Sequence, residues 1–224
     1  MRTVLITALT CGLLLGDTKQ SVKRLEDSAV VFSEIMRTPD RGIPQDLLEK
    51  AYCVVIVPGL KKGAFLVGGQ YGKGYLSCRN KNREGWSAPG TVRIEGGSVG
   101  LQIGGSDTDL IMLVMNRRGA DKLLSSEFTI GAEGEVAAGP VGRSSTAETD
   151  ALMRAEILSW SRSRGVFAGI ALKGATLRQD LDDNETLYGK KLDNREVVTG
   201  GIAPPAAAHK LLSLLSQYSS RATS

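Results

Sequence analysis

The sequence predicts an α+β fold: one domain built on a strongly curved, mostly antiparallel β-sheet or partial barrel, flanked by N- and C-terminal helices. Three observations predict it. Strand-like runs fill the middle of the chain, while helical spacing is confined mainly to its two ends. Glycine is in excess, 27 of 224 residues, about 12% against a usual ~7%, and much of it falls inside strand-like runs. There it implies bulges, tight bends or close backbone approach, as a curved sheet requires. Finally, no internal repeat and no long linker divides the chain, and 224 residues suffice for one sizeable core.

The elements follow in order. From Thr18 to Arg37 the apolar residues Val22, Leu25, Ala29, Phe32 and Met36 recur at steps of three and four, one face of a helix. Pro39 and Gly42 end it, and Pro44 opens a short helix through Lys50. Cys53–Val57 reads as a buried strand closed by Pro58-Gly59. Phe65–Gly69 and Tyr71–Arg79 follow as strands, then the polar turn NKNREG. Thr91–Gly105 alternates, and Leu110–Met115 is fully apolar. Arg117–Ser125 reads as a short helix. Phe128–Gly131, Val136–Ala138, Glu156–Ser161, Val166–Leu172 and Ala175–Arg178 read as strands. Asp182–Lys190 and Asp193–Thr199 are turn or helix, and Pro204 starts a last helix to Tyr218.

Before all this, Met1-Arg2 and the apolar run Val4–Gly16 read as a secretory signal peptide. The run is too short for an ordinary membrane-spanning helix. No A-x-A precedes Asp17, so an uncleaved N-terminal anchor stays open. Residues 1–17 are thus leader or anchor and 18–224 the domain. The chain is expected to be exported, periplasmic or secreted, and peripherally membrane-associated.

Composition removes several functions. Aromatic residues are only 5%, which disfavours base stacking, so no nucleic-acid partner is expected. The single histidine, His209, is read as a helix-surface residue; it leaves no Ser-His-Asp set and no histidine-based metal site. No C-x-x-C pair exists among Cys11, Cys53 and Cys78. Cys53 and Cys78 fall on different strands, where geometry decides pairing; two separate buried thiols are expected. GGQYGKG (68–74) fails the phosphate-loop spacing, and GGSVG (96–100) lacks the dinucleotide fingerprint. The acids Asp107, Asp109, Glu133 and Glu135 come in pairs two apart, yet neither pair has an accompanying nucleophile or base. No cofactor, metal or catalytic residue is expected.

Charge supplies the positive signal. Between Cys53 and Arg93 seven basic residues face one acid, Glu84, in a chain of net charge +4. Lys61 and Lys62 follow a Pro-Gly turn and Lys81 and Arg83 occupy a later one, so with Lys73 and Arg79 they suggest basic tips gathered on one surface for an anionic partner. Lys19, Lys23 and Arg24 crowd the first turns of the N-terminal helix, where cations oppose the helix dipole and stability does not explain them. These nine basic residues are the candidate lipid-binding set. An apolar face on the same helix could insert into a bilayer, or pack on the core.

Several blocks carry a resemblance: KAYCVVIVPGLKKGAFLVGGQYGKG, GWSAPG, GGSVGLQIGG, TDLIMLVMN, LLSSEFTIGAEGEVAAGPVGR, ILSWSRSRGVFAGIALKGA and NETLYGKK. In this order they resemble the SYLF-domain family over about Thr18 to Tyr218. The resemblance implies non-enzymatic binding of phosphoinositides or other anionic phospholipids, with the N-terminal amphipathic helix contributing to membrane contact. Phosphatidylglycerol or cardiolipin is the ligand class expected for a bacterial member. With an export leader, actin, a partner of eukaryotic members, is not expected here. A disulfide is not implied by the resemblance, and the oligomeric state is not read.

Overall fold

The computed structural model describes residues 5–38, 42–65, 67–80, 85–98, 104–133, 135–140, 155–163, 166–168 and 174–219. Helix α1 (Leu5–Arg37) runs without a break at Asp17, and α2 (Gln45–Lys50) follows. Strands β1 (Cys53–Phe65), β2 (Val67–Cys78), β3 (Gly90–Ser98) and β4 (Gly104–Val114) form the centre. Next come α3 (Arg117–Leu123), β5 (Glu127–Thr129), β6 (Val136–Ala138), β7 (Ile157–Ser163), β8 (Val166–Ala168) and β9 (Thr176–Gln179). Helices α4 (Leu181–Tyr188) and α5 (Asn194–Thr199) precede a 3-10 turn (Ala206–Ala208) and α6 (His209–Ser219). His209 is exposed at the start of α6, as read. No described helix is long and apolar enough to cross a membrane.

The sheet order is β5-β9-β3-β2-β1-β4-β7-β6, with β8 also on β7. Only the β6–β7 pair is parallel; the curled half-barrel is otherwise antiparallel, as predicted. Its two faces carry separate cores. Val55, Val57, Leu60, Leu76, Val92, Ile94, Leu110, Met112 and Phe128 fill the one we call the inner face. Val54, Ile56, Tyr75, Ile111, Leu113 and Trp160 pack against α1, α2 and α6 on the other. In α1 the residues in that core are Leu25, Ala29, Val31, Phe32 and Ile35. The stripe read from the sequence is therefore right in phase, but it is core. Taking Leu25, Val31, Phe32 and Ile35 out of it would forfeit about 2 kcal/mol each, so bilayer insertion by this face does not fit the fold.

One expectation is corrected at Pro58-Gly59. It does not close the strand. Between Val57 and Leu60, β1 advances three residues while β4 advances two, a one-residue bulge. Gly59 takes φ +60° and its N–H donates to Asp109 Oδ1 at 3.0 Å. The extra residue exchanges the faces along β1: Ile56 faces α1 before the bulge, Lys61 after it. Lys61 and Lys62 are thus mid-strand residues, not loop tips. Glycine makes the bulge packable from the neighbouring strand. A Cβ at Gly74 would overlap the Ile56 carbonyl oxygen and lie 2.8 Å from Val57 Cα. Gly74→Ala is expected to cost about 2–3 kcal/mol, seen as a lower urea midpoint at unchanged slope.

A second correction concerns sulfur. Cys53 and Cys78 are register partners on β1 and β2, with Cα atoms 3.9 Å apart, and they form a disulfide. Strand identity was legible in the sequence; the register that places the two opposite one another depends on the bulge and the hairpin, which were not.

Candidate functional site: a cationic concavity under the N-terminal helix

Where α1 crosses β2 and the bulged part of β1, the surface hollows into a cavity of about 360 Å³. Gln20, Lys23, Arg24 and Asp27 line it from α1, Pro58, Gly59 and Lys61 from β1, and Tyr71, Gly72 and Lys73 from β2. The arrangement follows from local geometry. Tyr71 and Lys73 are two apart and share a face. Lys61 is the register partner of Tyr71, and the bulge turns it to that same side. On α1, residues 20, 23, 24 and 27 fall on one helical stripe.

Four cations therefore converge against one lining carboxylate, Asp27. They are not equivalent. Arg24 Nη1 lies 2.6 Å from Asp183 Oδ2. Lys73 Nζ sits 2.8 Å from Asp180 Oδ2 and 3.3 Å from Asp183 Oδ1. Burial pulls the Lys73 amine down, but these two carboxylates outweigh it and hold its pKa above the ordinary lysine value. This inner pair of cations ties α1 and β2 to the start of α4. Tyr75 adds to the same seam by donating its hydroxyl to the Ser21 carbonyl at 2.6 Å, and burial raises its pKa.

The outer cations are more available. Lys61 is exposed. Lys23 pairs with Asp27 at 2.7 Å, but its side chain is 71% exposed, and such surface pairs contribute only ~0–1 kcal/mol. Lys19 is exposed one turn earlier on α1. Beside them Tyr71 is 47% exposed, a large aromatic left in water at the rim.

The remaining sequence candidates do not join this site. Lys62 lies on the opposite face of β1. Arg79 stacks over the Trp86 ring at 4.2 Å and donates to the carbonyls of Leu48 and Ser219 at 3.3 and 3.4 Å, which makes it a strut between β2, α2 and α6. Lys81 and Arg83 lie outside the described residues, as do residues 99–103 of the SVGLQIG block. Two of the acids considered for catalysis have structural partners: Asp109 accepts from Gly59 and Arg162, and Glu133 accepts from the Thr129 N–H. Sequence reasoning missed Tyr71 and the counter-ions. The i,i+4 spacing of Lys23 and Asp27 signalled one pairing; Asp180 and Asp183, distant in sequence, gave no signal.

The Ysc84 family, described as "Las17-binding protein actin regulator", matches residues 95–218. LAS seventeen-binding protein 3 of Saccharomyces cerevisiae is 32% identical over 206 residues, covering 90% of this chain and 44% of that protein. Protein YSC84 of the same yeast is 30% identical over 207 residues, 90% of this chain and 43% of its own length. SH3 domain-containing YSC84-like protein 1 of Rattus norvegicus is 28% identical over 209 residues, 93% of this chain and 60% of its length. The chain thus spans about half the length of these relatives. With most of its length matched to these proteins, the chain belongs to the Ysc84, or SYLF, family.

Proposed function

We propose that the chain docks peripherally on anionic phospholipid surfaces through the concavity under α1, without catalysis. The observation that carries this reading is the convergence of Lys23, Arg24, Lys61 and Lys73 around one hollow with Tyr71 exposed at its rim. Arg24 and Lys73, held by Asp183 and Asp180, shape the floor. Lys19, Lys23 and Lys61 meet the phosphates, each contributing roughly 1 kcal/mol near an anionic surface. Tyr71, 47% exposed, supplies apolar contact at the interface. Phosphoinositide-like headgroups or phosphatidylglycerol and cardiolipin fit this chemistry.

Export to a periplasmic or secreted location is part of the proposal. The leader-like run Val4–Gly16 supports it, as does the Cys53–Cys78 bond, since disulfides persist in oxidising compartments. Actin is then not the partner. The family description favours a second reading, a protein-binding module acting without lipid preference.

Cosedimentation with vesicles of phosphatidylglycerol in phosphatidylcholine separates the two. Binding is expected to fall with salt. Lys23→Glu with Lys61→Glu is expected to weaken it more than about tenfold, from roughly 1 kcal/mol per cation lost. Binding equal on pure phosphatidylcholine, or untouched by the double reversal, would overturn the lipid reading in favour of the protein-binding one.

A further inference from the structure

On the opposite face from the concavity the sheet carries two polar groups side by side. Lys62 on β1 and Gln70 on β2 are register partners, and cross-strand neighbours hold their Cβ atoms roughly 5 Å apart. Both belong to the inner face: Lys62 lies two residues beyond Leu60, which is in the inner core. Gln70 is 6% exposed, and its Oε1 is buried with no hydrogen-bond donor among the described residues. Lys62 is half-buried and forms no ion pair among the described residues. Burial lowers its pKa. The next row of the ladder places Gly68 on β2, Ala64 on β1 and Gly104 on β4, and Ser106 on β4 is the other register partner of Lys62.

A buried amide oxygen without a donor is costly, and an ammonium drawn from water without an anion is penalised as well. Two such deficits on adjacent strands are what one polar ligand would satisfy together. Closing both at once takes a molecule that offers an anionic oxygen to Lys62 Nζ and a hydroxyl hydrogen to Gln70 Oε1 about one side chain away. We propose that Lys62 and Gln70 form a second site, on the inner face of the sheet, for a phosphate ester that carries a free hydroxyl. The ester is a hydroxylated lipid headgroup or a free sugar- or polyol-phosphate; the recognising chemistry is shared. The site is separate from the α1 concavity, so either can fail without the other.

Glycerol phosphate is the probe, with glycerol and inorganic phosphate as controls. It is expected to shift the Gln70 side-chain amide resonances and to raise the Lys62 titration. Lys62→Met and Gln70→Met should each weaken it about tenfold, near 1.4 kcal/mol, while Lys23→Glu with Lys61→Glu leaves it unchanged. Competition by phosphatidylglycerol vesicles assigns the site to a lipid headgroup; retained binding without competition assigns it to a free ester. Gln70 resonances unmoved by the probe, affinity unchanged from wild type in both Met variants, or inorganic phosphate binding as tightly as the ester would overturn the proposal.

Discussion

Asn184→Ala is expected to destabilise the fold by about 4 kcal/mol or more, because three unshared buried hydrogen bonds meet at this one amide and each partner left unpaired costs about 1–3 kcal/mol. Asn184 is fully buried. Its Oδ1 accepts from the Thr91 N–H at 2.9 Å and lies 2.8 Å from the Thr91 hydroxyl, whose one hydrogen it shares with the Asp180 carbonyl. Its Nδ2 donates to the Leu192 carbonyl and to Asn194 Oδ1, both at 2.9 Å. Asn194 in turn donates to the Thr91 carbonyl at 2.9 Å. These bonds staple α4, α5 and the turn between them to the start of β3. Alanine would remove the three unshared bonds and leave the Thr91 N–H, the Leu192 carbonyl and Asn194 Oδ1 buried without them, in a low-dielectric setting where an incomplete polar network is most costly. Urea unfolding of wild type and variant measures the difference. A loss below about 1 kcal/mol, the net contribution of a single ordinary hydrogen bond, would show that the staple does not carry the C-terminal segment. The effect should reach the concavity too, because Asp180 and Asp183, the counter-ions of Lys73 and Arg24, stand at the start of α4.

That network also marks how far the sequence could be read. The glycine-rich sheet, its mostly antiparallel sense and the helix phase of α1 follow from periodicity, which reports the face a residue occupies. Val136–Ala138 was read to the residue, and Asp193–Thr199 became a helix opened by a capping box at Asp193 and Glu196. Periodicity does not report what lies across that face. The stripe Leu25, Ala29 and Phe32 reads identically whether it meets a bilayer or Tyr75 and Trp160. Register was the second gap. The bulge at Pro58-Gly59 turns Lys61 toward α1 and Lys62 away from it, so two adjacent lysines that looked like one basic tip serve opposite surfaces. Long-range pairing was the third. Gly90 closes the GWSAPG block; a Cβ there would strike Asn194 Oδ1 at 2.6 Å, so the glycine is required by a side chain more than a hundred positions away. Of the candidate site, the cations on α1 and Lys61 and Lys73 were legible as charge, while Tyr71 and the carboxylates behind them belong to the fold.

Removing the Cys53–Cys78 bond is expected to lower stability by about 3.5 kcal/mol, the loop-closure value for a separation of 25 residues. In a chain of this size that corresponds to roughly 7–14 °C in Tm. The bond closes the loop that contains the bulge, Lys61, Lys62, Gln70, Tyr71 and Lys73. Without it the unfolded ensemble gains entropy, and the β1–β2 hairpin must form from its tip alone. The cysteines are 1% and 7% exposed, so reductant reaches them only when the sheet opens. The measurement therefore compares oxidised protein with protein reduced in denaturant and refolded under reducing conditions, and with the Cys53→Ala, Cys78→Ala double variant. Reduced wild type and double variant should both melt below the oxidised protein, the variant somewhat lower because truncation adds a cavity to the loss. A thiol assay in denaturant without reductant should find Cys53 and Cys78 unreactive and Cys11, where present, free. Full reactivity of all three cysteines in freshly isolated protein, with no change in melting on reduction, would remove the disulfide. It would also remove one of the two supports for export, leaving the leader-like run Val4–Gly16 to carry that proposal by itself.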